Sequence, residues 1–223
     1  MFQHIYDRLF KNGYQPSLII DIGAHKGSWT RNMLNIYPNA MYMLFDATYY
    51  QEIDSLQGMH NIIFYDELLS NKEETVDWYE INGTGDSMFK ERTFHYQNIE
   101  PKKRQTKTLN EFFSDMTSFN NILLKIDCQG AELPILEGAD KFYNNIDFIV
   151  LELPFFGQYN ENVPSFAEHI AFMDKIGFVV FEFLESHVVN NFNIQVDLLF
   201  IRKNHPFHQK LQDSLMTRFQ EQH

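Results

Sequence analysis

The sequence predicts an α/β fold built on a parallel sheet, on three observations. Short apolar, β-rich runs recur, each followed by residues at helical spacing, which is the pattern of strands joined by crossover helices. No repeat of fixed period and no Pro-, Gly- or Ser-rich linker divides the 223 residues, a length that suits one α/β domain with decoration at about 100 to 200 residues per domain. The chain is also 44% hydrophobic, with 22 Phe and 11 Tyr, enough apolar material to offset the ordering entropy that keeps poorer sequences unfolded.

Phe2, Ile5, Tyr6, Leu9 and Phe10 fall at helical spacing ahead of Gly13, so residues 1–14 hold an amphipathic helix. Residues 17–22 form a compact strand, followed by a glycine turn and a helix over 28–36. A second strand over 41–46 ends in Asp46, a helix over 49–56 follows, and 61–65 is a third strand. Polar and apolar residues alternate loosely from 75 to 81 and stop at Asn82-Gly83, a pair that tolerates positive φ, so a hairpin opens an irregular insertion spanning 75–107. A short helix starts at Thr108, residues 121–127 are a strand ending in Asp127, and a helix over 132–143 carries Pro134 in its first turn, where a missing N–H costs little. Residues 148–153 are the fifth strand, and the helix over 165–176 stops at Gly177. Strands over 178–183 and 196–201 pair antiparallel at one edge. In the tail, 205–223, Phe207, Leu211, Leu215 and Phe219 lie four apart and predict a closing amphipathic helix.

Charge and cysteine content narrow the function. Eighteen Lys and Arg against 30 Asp and Glu give a net charge of −12, which argues against a basic nucleic-acid footprint and against a polybasic membrane anchor. The single cysteine, Cys128, permits neither an intrachain disulfide nor a paired-thiol zinc site and reads as packing. No histidine and carboxylate cluster has metal-ligand spacing, so no metal is expected. The N-terminus lacks a charged region followed by an apolar core, and no stretch approaches the roughly 18 apolar residues of a membrane span. A soluble cytoplasmic protein is expected, with assembly into a homo-oligomer left open.

The sharpest motif is Asp21-Ile22-Gly23-Ala24-His25-Lys26-Gly27, where a strand hands over to a helix. Glycines there let the backbone approach a ligand, and the helix start presents unpaired N–H groups. Asp46 ends the next strand, where an acidic residue accepts both hydroxyls of a ribose, so the pair reads as a nucleoside site. The spacing is G-x-x-x-G and not the G-x-G-x-x-G of dinucleotide binders, which disfavours a pyrophosphate cradle. His25 reads as a locally bonded loop side chain.

In these residues the sequence resembles class I S-adenosylmethionine-dependent methyltransferases. The segment from Leu124-Lys125-Ile126-Asp127-Cys128-Gln129-Gly130-Ala131-Glu132 to Leu136-Glu137-Gly138-Ala139 is similar to the fourth-strand motif of the FkbM family. Leu68-Leu69-Ser70-Asn71, Thr108-Leu109-Asn110-Glu111-Phe112 and Val150-Leu151-Glu152 match that family's remaining landmarks in order. The resemblance covers about residues 15–202 and is weakest at the N-terminal helix, at 82–107 and in the tail. Asp46 stands where the family more often has Glu, Ala47 replaces its proline, and Leu68 replaces a small residue.

The resemblance implies a Rossmann-like, seven-stranded, mostly parallel sheet with an antiparallel edge strand and helices on both faces. It implies S-adenosylmethionine as cofactor, with Asp21, Gly23, Ala24 and Gly27 shaping the methionine end, Asp46 on the ribose, and Asp66 or Glu67 on the adenine amino group. Asp127 is then the base or acceptor anchor. Lys125, two residues earlier on the same strand face, binds substrate or tunes Asp127. Glu152 is a further candidate, with His169 and His187 weaker ones. FkbM-like enzymes often methylate hydroxyls of sugars or polyketide-type products, so a sugar, glycan or related small molecule is the expected acceptor. The basic run of Lys90, Arg92, Lys102, Lys103, Arg104 and Lys107 either receives an anionic glycan precursor or is a solvated face. Residues 155–159 either wall the acceptor or pack as a lid. The rival readings are a catalytically inactive S-adenosylmethionine-binding module in a complex and an NAD- or nucleotide-dependent sugar-modifying enzyme.

Overall fold

The computed structural model describes residues 3–81, 83–155 and 159–221. The first part of the chain runs through α1 (Gln3–Lys11), β1 (Leu18–Ile22), α2 (Ser28–Ile36), β2 (Met41–Asp46), α3 (Asp54–Gln57), β3 (Ile62–Asp66), β4 (Leu68–Leu69), β5 (Thr75–Trp78) and β6 (Lys102–Lys107). Then come α4 (Phe113–Met116), β7 (Ile122–Ile126), α5 (Glu132–Glu137), β8 (Ile146–Pro154), α6 (Phe166–Lys175), β9 (Phe178–Val189), β10 (Phe192–Arg202) and α7 (Pro206–Glu221).

Seven strands form one sheet in the order β3-β2-β1-β7-β8-β10-β9. All neighbours are parallel except β10, which runs antiparallel to both β8 and β9 and sits one place in from the edge. The central strands β1 and β7 are buried at every position, as a parallel sheet covered on both faces requires. Alternation divides them: Leu18, Ile20 and Ile22 face the layer of α4, α5 and α6, while Ile19 faces α1, α2 and α3. Order reverses between β1 and β7, and in open α/β sheets the crevice at such a point, outside the carboxyl ends of the strands, is where ligands bind.

Three sequence expectations need correction. The helix expected over 132–143 ends at Glu137, and a separate 3₁₀ turn covers Asp140–Phe142. The residue after the helix must be glycine: a Cβ on Gly138 would lie 2.3 Å from the Ser70 carbonyl oxygen, where the strand exit crosses the helix end. The insertion is not irregular throughout. It supplies β6, which pairs antiparallel with β5 and parallel with β4 in a small second sheet. Asn82 lies outside the described residues; beside it, Tyr79 and Ser87 exchange backbone hydrogen bonds of 2.9 and 3.1 Å. The last two strands are longer than expected, 12 and 11 residues, because Asn190 and Asn191 both take left-handed φ and close a tight turn.

The tail is helical, and Phe207 at its start packs against Phe181; the side chain of Phe219 lies outside the described residues. Leu211, Leu215 and Met216 are 37%, 56% and 65% exposed. No helix among the described residues is long and apolar enough to cross a membrane.

Gly138→Ala should cost about 1–3 kcal/mol, the usual penalty of forcing an atom into a filled site. Gly58→Ala, whose Cβ would meet nothing nearer than 3.9 Å, should be close to neutral. Chemical denaturation midpoints of the two variants test this difference.

Candidate functional site

A cavity of about 1190 Å³ opens at the carboxyl ends of β1, β2 and β7. The turn after β1 forms one side of it, Ile81 and residues from 83–95 line another, and β9 with β10 wall the far end.

The turn is built by backbone requirements. Gly23 has φ 74°, its N–H and that of Ala24 donate to the Phe45 carbonyl at 2.9 and 3.1 Å, and a Cβ at Gly23 would fall 1.9 Å from the Asp127 carbonyl oxygen. Glycine is therefore what lets the ends of β1 and β7 close together. Gly27 also has positive φ, but a Cβ there would fall 2.4 Å from Leu56 of α3, so it seats α2 and does not line the cavity. The His25 N–H donates to Asp46 Oδ2 at 2.6 Å and the Thr48 N–H to Oδ1 at 2.8 Å. Both oxygens of Asp46 are thus aimed by backbone and keep a lone pair for the cavity. Burial pushes the Asp46 carboxyl up to about 6.

Behind the turn lies a buried ion chain. Lys125 stands opposite Asp21 in the β1–β7 register. Its ammonium sits 3.2 Å from Asp21 Oδ1, 3.4 Å from the Gly23 carbonyl and 3.4 Å from Asp127 Oδ2. The Thr30 hydroxyl donates to the other Asp21 oxygen at 2.6 Å. Burial alone would draw Lys125 toward the neutral amine, but Asp21 and Asp127 outweigh it and raise its pKa. Asp21 is fully buried and does not line the cavity; Asp127 does, with 38% of its side chain exposed.

Beyond Asp127 the cavity wall is polar. The Gln129 amide donates to Glu152 Oε2 at 2.6 Å and to Asp127 Oδ1 at 3.4 Å, and its own oxygen accepts from the Tyr159 hydroxyl at 2.9 Å. Gln195 donates to Tyr159. Burial, with help from Asp127 and Asp197, pushes Glu152 well above the usual carboxylate range, and burial with Asp127 lifts Asp197 to about 7. Glu132, raised to about 7 by burial, clamps the loop after β7 by accepting the N–H groups of Cys128 and Gly130, each at 3.0 Å.

At the opposite end, Ala47, Leu68 and Trp78 form a small apolar cluster lining the cavity. Trp78 Nε1 there is buried with no hydrogen-bond partner among the described residues. An apolar slot with an unused donor, a carboxylate with two aimed oxygens and a close-packed glycine turn follow one another along the cavity. That sequence of groups fits an adenine, a ribose and an amino-acid tail, so the residues suit S-adenosylmethionine.

The structure brings together Gly23, Ala24, Asp46, Glu67, Lys125, Asp127 and Glu152 as lining residues. It sets apart Asp21, Gly27 and Asp66, the last paired with Arg104 at 3.1 Å. His169 is a core residue whose ring meets the Ser165 carbonyl at 2.8 Å, away from the cavity. The basic run lies off the cavity too, and four of its members are spent in ion pairs, Lys102 with Glu80, Lys103 with Asp77, Arg104 with Asp66 and Lys107 with Glu67. The run therefore adds no base to the described lining of the cavity. Of 155–159, residues 156–158 lie outside the described residues. Tyr159, from the segment read as a wall or a lid, lines the cavity. Trp78, Gln195 and Asp197 went unread in the sequence; of these Asp197 alone left a signal, as a carboxylate breaking the apolar run over 196–201.

The family model described as the Methyltransferase FkbM domain matches residues 21–180. Among solved structures, the 1,6-didemethyltoxoflavin-N1-methyltransferase of Burkholderia thailandensis, solved with 1,6-didemethyltoxoflavin and S-adenosylhomocysteine, aligns at TM-score 0.51 and 10% identity over 91% of this chain and 78% of its own. A methyltransferase FkbM from Methylobacillus flagellatus aligns at TM-score 0.51 and 10% identity over 86% of this chain, which spans 47% of that protein. At these identities the likeness is one of fold. No curated protein sequence matches the chain.

The raised carboxyls set a pH dependence. Asp46, Glu132 and Asp197 bind protons more tightly folded than unfolded, so their contribution to stability is complete below the unfolded values near 4 and is lost as pH rises through about 6 to 7. Without ligand, the melting temperature should be higher at about pH 6 than at about pH 8, and Asp197→Asn should narrow the gap. Differential scanning calorimetry at the two pH values checks both statements.

Proposed function

The chain belongs to the FkbM methyltransferase family, and from that premise we propose that it transfers a methyl group from S-adenosylmethionine to a hydroxyl of a neutral sugar, glycan or related polyol. One observation carries the choice of acceptor: Asp127, Gln129, Glu152 and Gln195 converge on one end of the cavity. Carboxylates and amides are the side chains that accept from and donate to closely spaced hydroxyls.

S-adenosylmethionine supplies a methyl group already made electrophilic by its sulfonium charge, so the chain has mainly to align an oxygen and take its proton. Asp127 takes that proton. One of its oxygens is fixed by Lys125 and the other by the Gln129 amide, which leaves the exposed side of the carboxylate toward the acceptor. Lys125, held between Asp21 and Asp127, is a positioning residue. Glu152, oriented by Gln129, receives a second acceptor hydroxyl. Asp46 accepts the ribose hydroxyls, and Glu67, which lines the cavity where Asp66 does not, takes the adenine amino group.

Asp127→Asn should lower turnover about 10²- to 10⁴-fold, the span of general-base contributions, while leaving cofactor affinity within about two-fold. Release of S-adenosylhomocysteine and calorimetric titration read the two quantities, and equal loss in both would contradict the assignment. Asp46→Ala should weaken cofactor binding about 100-fold, because two charge-assisted hydrogen bonds at about 1.5 kcal/mol each are removed. A panel of neutral sugars, amines and carboxylates tests the acceptor class. Turnover confined to amines or carboxylates would replace the hydroxyl reading.

A further inference from the structure

Glu152 of β8, His187 of β9 and Asp197 of β10 meet at the acceptor end of the cavity, each offering a donor atom within 4.8 Å of the others. Asp197 lies directly opposite Glu152 across one strand pair and opposite Glu185 across the next. Like charges in that position destabilise a sheet, the more so when partly buried. Among the described residues lining the cavity, Lys125 is the only Lys or Arg, and it already faces Asp21 and Asp127. The carboxylates of the three-strand wall therefore gather with no Lys or Arg among the described lining residues paired to them.

The donor atoms are individually available. Gln129 occupies Glu152 Oε2, while Oε1 lies 3.6 Å from His187 Nε2. Two ligands of one tetrahedral ion with bonds near 2.1 Å stand about 3.4 Å apart. Asp197 Oδ1 is buried with no hydrogen-bond partner among the described residues, a cost a folded protein seldom leaves standing. One imidazole with two carboxylates is a donor set for a first-row transition ion, since magnesium and calcium favour all-oxygen sites.

We propose that Glu152, His187 and Asp197 bind a divalent first-row transition-metal ion, with its remaining coordination positions turned to the oxygens of the acceptor. The ion's role toward the acceptor rests on the methyl-transfer reading, whereas its binding does not. Bound there, it polarises the acceptor oxygen and offsets the carboxylates around it.

Titration of the purified chain with Mn²⁺, followed by electron paramagnetic resonance, tests the site on wild type, His187→Ala and Asp197→Asn. His187 is half-exposed on the hairpin, so its variant should keep the fold, as circular dichroism will verify. About one Mn²⁺ per chain is expected, bound at least about ten-fold more weakly in each variant, with S-adenosylmethionine affinity retained in all three. Absence of binding to wild type, or binding that either variant leaves unchanged, overturns the site. Mn²⁺ binding with this pattern but no S-adenosylmethionine binding upholds the site and removes the methyl-transfer reading instead.

Discussion

One buried ammonium fixes the geometry on which the rest depends. Lys125 bridges β1 and β7 at the place where strand order reverses, touching Asp21, the Gly23 carbonyl and Asp127 at once. Burying such a chain is not in itself a source of stability, but removing one member leaves uncompensated charge and costs about 3–5 kcal/mol. What the arrangement secures is position. The strand pair, the start of the glycine turn and the Asp127 carboxylate that lines the cavity all refer to the same atom, so none can shift alone.

Much of this was legible because parallel strands write their burial directly into sequence. Runs such as residues 18–22 and 122–126 are apolar on both faces, interrupted only by Asp21 and Lys125, and those interruptions mark where the cavity is anchored. The glycine turn and Asp46 were equally readable, since positive φ, close approach and a carboxylate at a strand end are local properties. Their roles separated only in three dimensions. Asp21 and Gly27 belong to the motif but support the cavity from behind, because their neighbours, Lys125 and Leu56, come from distant segments.

The less legible parts depended on pairing between remote strands. Residues 75–107 look irregular because half of each strand's pattern is set by the other: β5 meets β6 only after an intervening loop, and β6 also meets β4. The need for glycine at 138 has the same origin, since the atom that a Cβ would meet is a carbonyl at Ser70. Likewise Glu152, His187 and Asp197 are separated by 35 and 10 positions, and no spacing rule links them until β10 inserts between β8 and β9.

Net charge gave the right sign and hid the distribution. The excess of acid over base, 30 against 18, is not spread evenly: bases of the 90–107 run are neutralised on β6 by Asp66, Glu67, Asp77 and Glu80, while the cavity gathers carboxylates around one committed lysine. For Asp46, Glu152 and Asp197 desolvation outweighs the hydrogen bonds and opposite charges around them, which is why all three rise together. A fold that gathers such groups is less stable at neutral pH than it would be without them. The loss is recovered only by a ligand that brings positive charge or hydrogen-bond donors to the same oxygens, because binding to the folded chain alone stabilises it by mass action. The acidity of the cavity is thus a cost to the empty protein that such a ligand offsets.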